Sequence, residues 1–122
     1  MDFTERLELY QEGGMIKEDD VKDVLAIVAM FKEKYDIQLC EENADTFVAH
    51  LCAAFGRNAT QEKVEPLLPE SFAEVKELES YPLSLDMLEN IKSVIHNSLS
   101  QDEQEYVLLH LNTLIAKLNE EA

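Results

Sequence analysis

An all-α, compact helical bundle is the fold class this sequence predicts, and three observations predict it. Apolar residues recur three and four apart through several long stretches. Nothing convincing alternates with period two. The three Gly and three Pro stand as punctuation between those stretches. Of the 122 residues 46% are hydrophobic, enough to bury one core, and the chain is too short for two ordinary domains. One domain over residues 1–122 is expected, a five-helix bundle in 18–119 preceded by a short extra N-terminal helix and turn in 1–14.

The first helix is expected from about Asp2 to Glu12, ending at Gly13-Gly14, where glycine takes a left-handed C-cap easily. A second begins near Glu18. Its Val21, Val24, Leu25, Val28, Phe31 and Tyr35 follow the spacing of a buried stripe, and acids in its first turn suit the positive end of the helix dipole. A third is expected from about Glu41 to Arg57, with Phe47, Val48, Leu51, Cys52 and Phe55 inward and Gly56 near its end. Pro66 and Pro69 break the chain, and Pro69-Glu70 opens a shorter fourth helix carrying Phe72, Val75 and Leu78. Pro82 resets it. Ser84 is the expected N-cap of a fifth helix, with Leu85, Leu88, Ile91, Val94, Ile95 and Leu99 on one face over four turns. Ser100 and Glu103 have capping-box spacing, and Val107, His110, Leu111, Leu114 and Leu118 carry the stripe of a final helix.

Charge excludes more than it identifies. The formal net charge is -16, from 26 acidic residues against 10 Lys and Arg. Such a surface repels phosphate backbones and anionic lipid, so neither direct nucleic-acid binding nor membrane binding is expected. A solvated, solubilising surface is the commoner reason for such acidity, which by itself names no partner. Cys40 and Cys52 lie in apolar segments and are expected as reduced, buried thiols. The first residues, Met1 to Glu5, carry acids where a signal peptide carries lysines, and no apolar run nears the roughly 18 residues of a membrane helix. A cytoplasmic protein is expected.

The three histidines are the first place to look for chemistry, being the side chains whose ordinary charge changes near neutral pH. His50 and His110 each lie on or beside a helical stripe, in Phe47-Val48-Ala49-His50-Leu51 and Tyr106-Val107-Leu108-Leu109-His110-Leu111. Ordinary packing at a helix seam accounts for such positions too, and His96 sits at the flank of its stripe. No metal is expected, because the gap between the cysteines fits no zinc-knuckle spacing and no His-Glu-x-x-His run exists. Cys52, two residues from His50, points to another side of the helix, so no nucleophile-base pair forms. No Gly-rich phosphate loop is present. The chain is read as a binding protein, without cofactor or catalytic residues.

Taken together, Asp45 to Arg57 and Asp102 to Leu111 resemble the two signature helices of PTS regulation domains. The first matches in a histidine, an aliphatic residue after it and an arginine seven places on. The second matches in an Asp-Glu pair, an aromatic residue, and a histidine eight places after the Asp. The resemblance runs from about Glu18 to Asn119, implies a five-helix fold, and leaves the first short helix outside. It implies phosphoryl transfer onto His110 and His50 from HPr or a sugar-specific IIB component, and a homodimer whose association responds. Arg57 corresponds to the family arginine and is a candidate for steadying a phosphoryl group, beside Asp102 and Glu103 as candidates for orienting the histidine region. His96 matches no motif position. No RNA- or DNA-binding module flanks the motifs in these residues, so the expected output is in trans, on an unknown protein target. The competing reading is a structural or adaptor bundle that only binds a partner and is never phosphorylated.

Overall fold

The computed structural model of the chain describes residues 3–121, with side chains over 3–120. Six helices follow one another: α1 (Thr4–Glu12), α2 (Glu18–Tyr35), α3 (Glu41–Thr60), α4 (Pro69–Lys76), α5 (Tyr81–Val94) and α6 (Gln101–Glu121). No strand occurs among the described residues, so the all-α bundle is the observed class. The centre is α6, which packs on α3, α5 and α4. In turn α2 covers α3 and α5, and α1 lies on α2.

The stripes meet in one hydrophobic core. Val24, Ile27 and Phe31 of α2 face Phe47, Leu51 and Phe55 of α3, Met87 and Ile91 of α5, and Val107 and Leu111 of α6. Phe3 and Leu7 join the same core, which is how α1 is held. Each Leu, Ile, Val, Phe or Met side chain moved from water into such a site stabilises the fold by about 1.5–3 kcal/mol. On α2 the buried line is rotated from the expected one: Leu25 is exposed and Ile27 and Met30 are inside. Asp20 and Asp23 are also buried there, which hydropathy alone does not anticipate.

Local chemistry sets the ends. At the start of α2 the Lys17 backbone N–H donates to the Asp20 carboxylate at 2.9 Å, and at the start of α3 the Cys40 N–H donates to the Asn43 side chain at 3.0 Å. Gly14 takes the left-handed turn after α1 at φ 80°, and Asp36 takes the one after α2 at φ 54°. The expected Asp2 start of the first helix lies outside the described residues.

Several expectations are corrected. The third helix runs on to Thr60, past the expected Arg57, with Gly56 near its end as expected; glycine is needed there because a Cβ would stand 2.9 Å from the Met15 carbonyl oxygen. Leu78 lies past the end of α4 and is exposed, since the helix stops at Lys76. Ser84 does not cap α5. That helix starts at Tyr81 with Pro82 in its first turn, where a missing N–H costs nothing, and it ends at Val94, before Ile95 and Leu99. Ser84 is instead fully buried, donating to the Tyr81 carbonyl at 2.7 Å and accepting from the Asn112 amide of α6 at 3.0 Å. Asn112 also receives the Ser80 hydroxyl at 2.5 Å, so a small polar ladder fixes α5 on α6. Both cysteines are free; Cys52 is buried, with its thiol pushed up to about 12 by burial, and Cys40 is only half-buried at the start of α3.

Candidate functional site

The motif spacings become geometry where α3 and α6 run antiparallel. Arg57 meets Glu103 at one end of the seam, His50 meets Tyr106 and His110 in the middle, and Lys117 reaches the Glu42 carbonyl at the other end. Residues seven apart lie two turns along one helix face. His50 and Arg57 on α3, and Glu103 and His110 on α6, therefore line the same seam.

The two histidine rings have their centroids 4.7 Å apart with planes tilted by 35°, and the Tyr106 ring stacks on His50 at 5.4 Å. Tyr106 is itself anchored, its hydroxyl donating to the Glu65 carbonyl at 2.7 Å in the segment between α3 and α4. Behind the rings, Arg57 grips Glu103 with both tines of its fork, Nε to Oε2 at 2.8 Å and Nη2 to Oε1 at 3.0 Å. The Glu103 backbone N–H donates to the Ser100 hydroxyl oxygen at 3.2 Å, which is half of the expected capping box. The Glu103 side chain supplies no second half, because Arg57 holds it and it is only 5% exposed. Glu103's hydrogen bonds hold the Arg57 guanidinium above its already high ordinary pKa.

His50 Nε2 is buried without a hydrogen-bond partner and stands 3.6 Å from Glu103 Oε1, just beyond hydrogen-bonding range. Burial pushes the His50 pKa down to about 4, the neighbouring His110 and then Arg57 act the same way, and Glu103 opposes them. Burial also lowers His110. Both rings are thus neutral at pH 7, with a lone pair on one nitrogen of each. Past His110 the seam opens into a groove of about 290 Å³, lined among others by Glu41, Asp45, Thr46, His110, Thr113 and Lys117. The two acids on its rim are engaged by Arg6 of α1, which pairs with Asp45 and reaches Glu41 at 3.7 Å.

A second polar cluster lies elsewhere. His96 belongs to no helix; it sits in the connection from α5 to α6, with Nδ1 2.8 Å from Asp23 of α2. The Asp23 carboxylate also accepts the backbone N–H groups of His96 and Asn97 at 2.9 and 3.0 Å and the Asn97 amide at 2.7 Å. Burial works to raise the Asp23 pKa, but those hydrogen bonds outweigh it and leave the group lowered, while the bond to Asp23 raises His96. This is a clasp that closes the connection onto α2.

Of the residues singled out from sequence, His50, His110, Arg57 and Glu103 come together. Asp102, half-buried in the first turn of α6, stands one position away from the side chain that reaches the seam. Sequence reasoning passed over Thr113 and Lys117, although they follow His110 at three and seven residues and so share its face. It also passed over Asp20 and Asp23, whose burial depends on partners from the other end of the chain. Among the described residues no group of three His, Cys, Asp or Glu is arranged to hold a metal, and no helix is long and apolar enough to cross a membrane.

Comparison with known proteins adds to this geometry. A family model described as the PRD domain matches residues 25–114. The "Uncharacterized protein YhfY" of Escherichia coli (strain K12) is 24% identical over 116 residues, covering 95% of this chain and 97% of that protein. No solved structure matches. The matched stretch contains His50, Arg57, Glu103 and His110, leaves α1 and Lys117 outside, and spans well over half of the chain: the protein belongs to the PRD domain family.

Proposed function

We propose that the chain is a phosphorylation-controlled regulatory interaction module of the sugar phosphotransferase system, cytoplasmic, non-enzymatic, and acting in trans on a protein partner. HPr or a sugar-specific IIB component supplies the phosphoryl group, and His110 and His50 are the acceptors. The observation that carries this reading is the pair of neutral imidazoles whose centroids lie 4.7 Å apart across the α3–α6 seam, with His110 among the residues lining a groove. A neutral ring nitrogen is a competent nucleophile toward phosphorus. The product brings roughly 1.5–2 negative charges to a seam where half-buried Arg57 is already held by Glu103. Either Arg57 exchanges partners or the helices shift, and a symmetric homodimer converts that choice into a change of association.

The test is incubation with a panel of phosphorylated HPr and IIB proteins, each shown to act on another regulation domain. Mass spectrometry under conditions that keep phosphohistidine intact then reads the product, with light scattering before and after. Incorporation that disappears in the double variant His50→Ala, His110→Ala is the expected result. Unmodified histidines with active donors would leave the adaptor bundle as the better account.

A further inference from the structure

The connection between α3 and α4 is extended and sparsely held. Gln61 closes α3 in the left-handed conformation at φ 61°, with the Glu62 N–H on the Arg57 carbonyl at 3.0 Å. At the far end the Leu68 carbonyl receives the Ser71 and Phe72 N–H groups that open α4. Between these ends, among the described residues, 63–67 make no backbone-to-backbone hydrogen bond. Their attachment is the Glu65 carbonyl, which accepts the Tyr106 hydroxyl of α6 at 2.7 Å. The side chains add no deep anchor: Glu65, Pro66 and Leu68 are exposed, Leu68 by 67%, and Val64 and Leu67 are only half-buried.

Both partners of that bond are held in place. Pro66 confines the residue before it to extended backbone, which fixes the direction in which the Glu65 carbonyl points. Tyr106 and His110 stand four apart on one face of α6, and the His50 ring of α3 lies against both, 5.4 Å from Tyr106 and 4.7 Å from His110. The Tyr106 ring therefore covers one face of His50, while the hydroxyl at its tip is tied to the segment. A half-buried tyrosine held by stacking alone can change rotamer, and a hydrogen bond at its tip removes that freedom.

We infer that residues 62–68 are a strap latched by Tyr106, and that release of the latch swings the phenol away and uncovers the His50 ring. The juxtaposition that carries this is one backbone carbonyl, in a segment otherwise without backbone bonds, set on the tip of the ring that stacks on His50. Opening of this kind leaves the core intact. The bond that breaks is neutral, and water satisfies both the Glu65 carbonyl and the Tyr106 hydroxyl once they part. The strap sets when His50 meets solvent, whatever reacts there, and does not depend on phosphoryl transfer.

The experiment measures access to His50 in the full chain, by brief carbethoxylation with diethyl pyrocarbonate at pH 7 followed by peptide mapping. His50 is a neutral ring at that pH, so its rate reports access and not protonation. Tyr106→Phe keeps the ring and removes the latch, whereas Pro66→Gly keeps Tyr106 and loosens the strap. His50 should react about two- to tenfold faster in both, the change that loss of one neutral hydrogen bond makes in an opening equilibrium. Alkylation by iodoacetamide of Cys52, which is fully buried in the core, should stay at the wild-type level. A wild-type rate at His50 in either variant would overturn the inference. So would an equal acceleration at Cys52, which marks general loosening of the fold. No phosphoryl donor enters the measurement, so histidines that accept no phosphate would sink the phosphorylation reading and leave the strap standing.

Discussion

Glu103 of α6 spends its whole carboxylate on Arg57 of α3, with both oxygens within 3.0 Å of the guanidinium fork, and in doing so leaves His50 Nε2 unbonded 3.6 Å away. The pair is therefore a strut for the seam as well as a reservoir of charge beside the histidines. Removing one partner strands the other.

Arg57→Met is expected to destabilise the domain by about 2–4 kcal/mol, because Glu103 is left buried without its cation. The double variant Arg57→Met, Glu103→Met is expected to recover a large part of that loss, since no unpaired charge remains. Urea unfolding of the two single variants and the double variant gives the coupling energy. Additive losses would show that the pair does not act as a unit.

Acid is expected to weaken the fold from about pH 6.5 downward. His50 has a folded-state pKa of about 4 against an ordinary 6.5, so in that interval the unfolded chain binds more protons and falling pH favours unfolding. His110, also lowered, acts in the same direction. Asp23 follows further down: its lowered pKa gives stability that is present above its ordinary 3.8 and lost as pH falls through the folded value. His96 works the other way. Its raised pKa contributes stability that is full below 6.5 and lost as pH rises through the folded value, but its side chain is 55% exposed and solvent screens the effect. Urea midpoints at pH 7, 5.5 and 4.5 should therefore fall in that order, and His50→Gln should flatten the slope between the first two. A midpoint unchanged over that range would contradict the assignment of His50 as a neutral buried ring.

Asp23→Ala is expected to cost about 2–4 kcal/mol, because two backbone N–H groups and the Asn97 amide of the α5–α6 connection lose their acceptor together. His96→Ala removes a half-exposed side chain and leaves those backbone bonds in place, so its effect should be much smaller. Hydrogen exchange locates the change: the amides of His96 and Asn97 should lose protection in Asp23→Ala and keep it in His96→Ala. Equal loss in both variants would place the clasp in the histidine instead.

Gly56→Ala tests the close approach of α3 to the turn after α1. The added Cβ would stand 2.9 Å from the Met15 carbonyl oxygen, a backbone atom that cannot rotate away, and overpacking of this kind typically costs about 1–3 kcal/mol. Helix propensity argues for the opposite sign, since alanine is favoured over glycine by about 1 kcal/mol in mid-helix. A thermal midpoint below that of the wild type decides for the steric term, and one above it for propensity.

The sequence by itself determined that this chain would be a helical bundle. Stripes such as Phe47, Leu51 and Phe55, or Val107, Leu111 and Leu114, can be buried only as helix faces, and a period of three to four residues is a local property of the chain. It also set which residues of the site share a face, because His50 with Arg57 and Glu103 with His110 are each two turns apart on one helix. Local pattern could not place the helix starts at proline, where either Tyr81 or Ser84 fits the first turn, nor the rotation of α2 that exposes Leu25 and buries Asp23. The burial of Asp23 depends on a partner 74 residues away, Asn97, and that of Ser84 on Asn112, 28 residues on. The antiparallel register of α3 on α6 was decided only in the tertiary structure. That register sets His50 beside His110 and 3.6 Å from Glu103, and closes Arg57 on Glu103. Burial and pairing of charge are properties of two surfaces meeting, and a single strand of sequence specifies each surface without saying how they are juxtaposed.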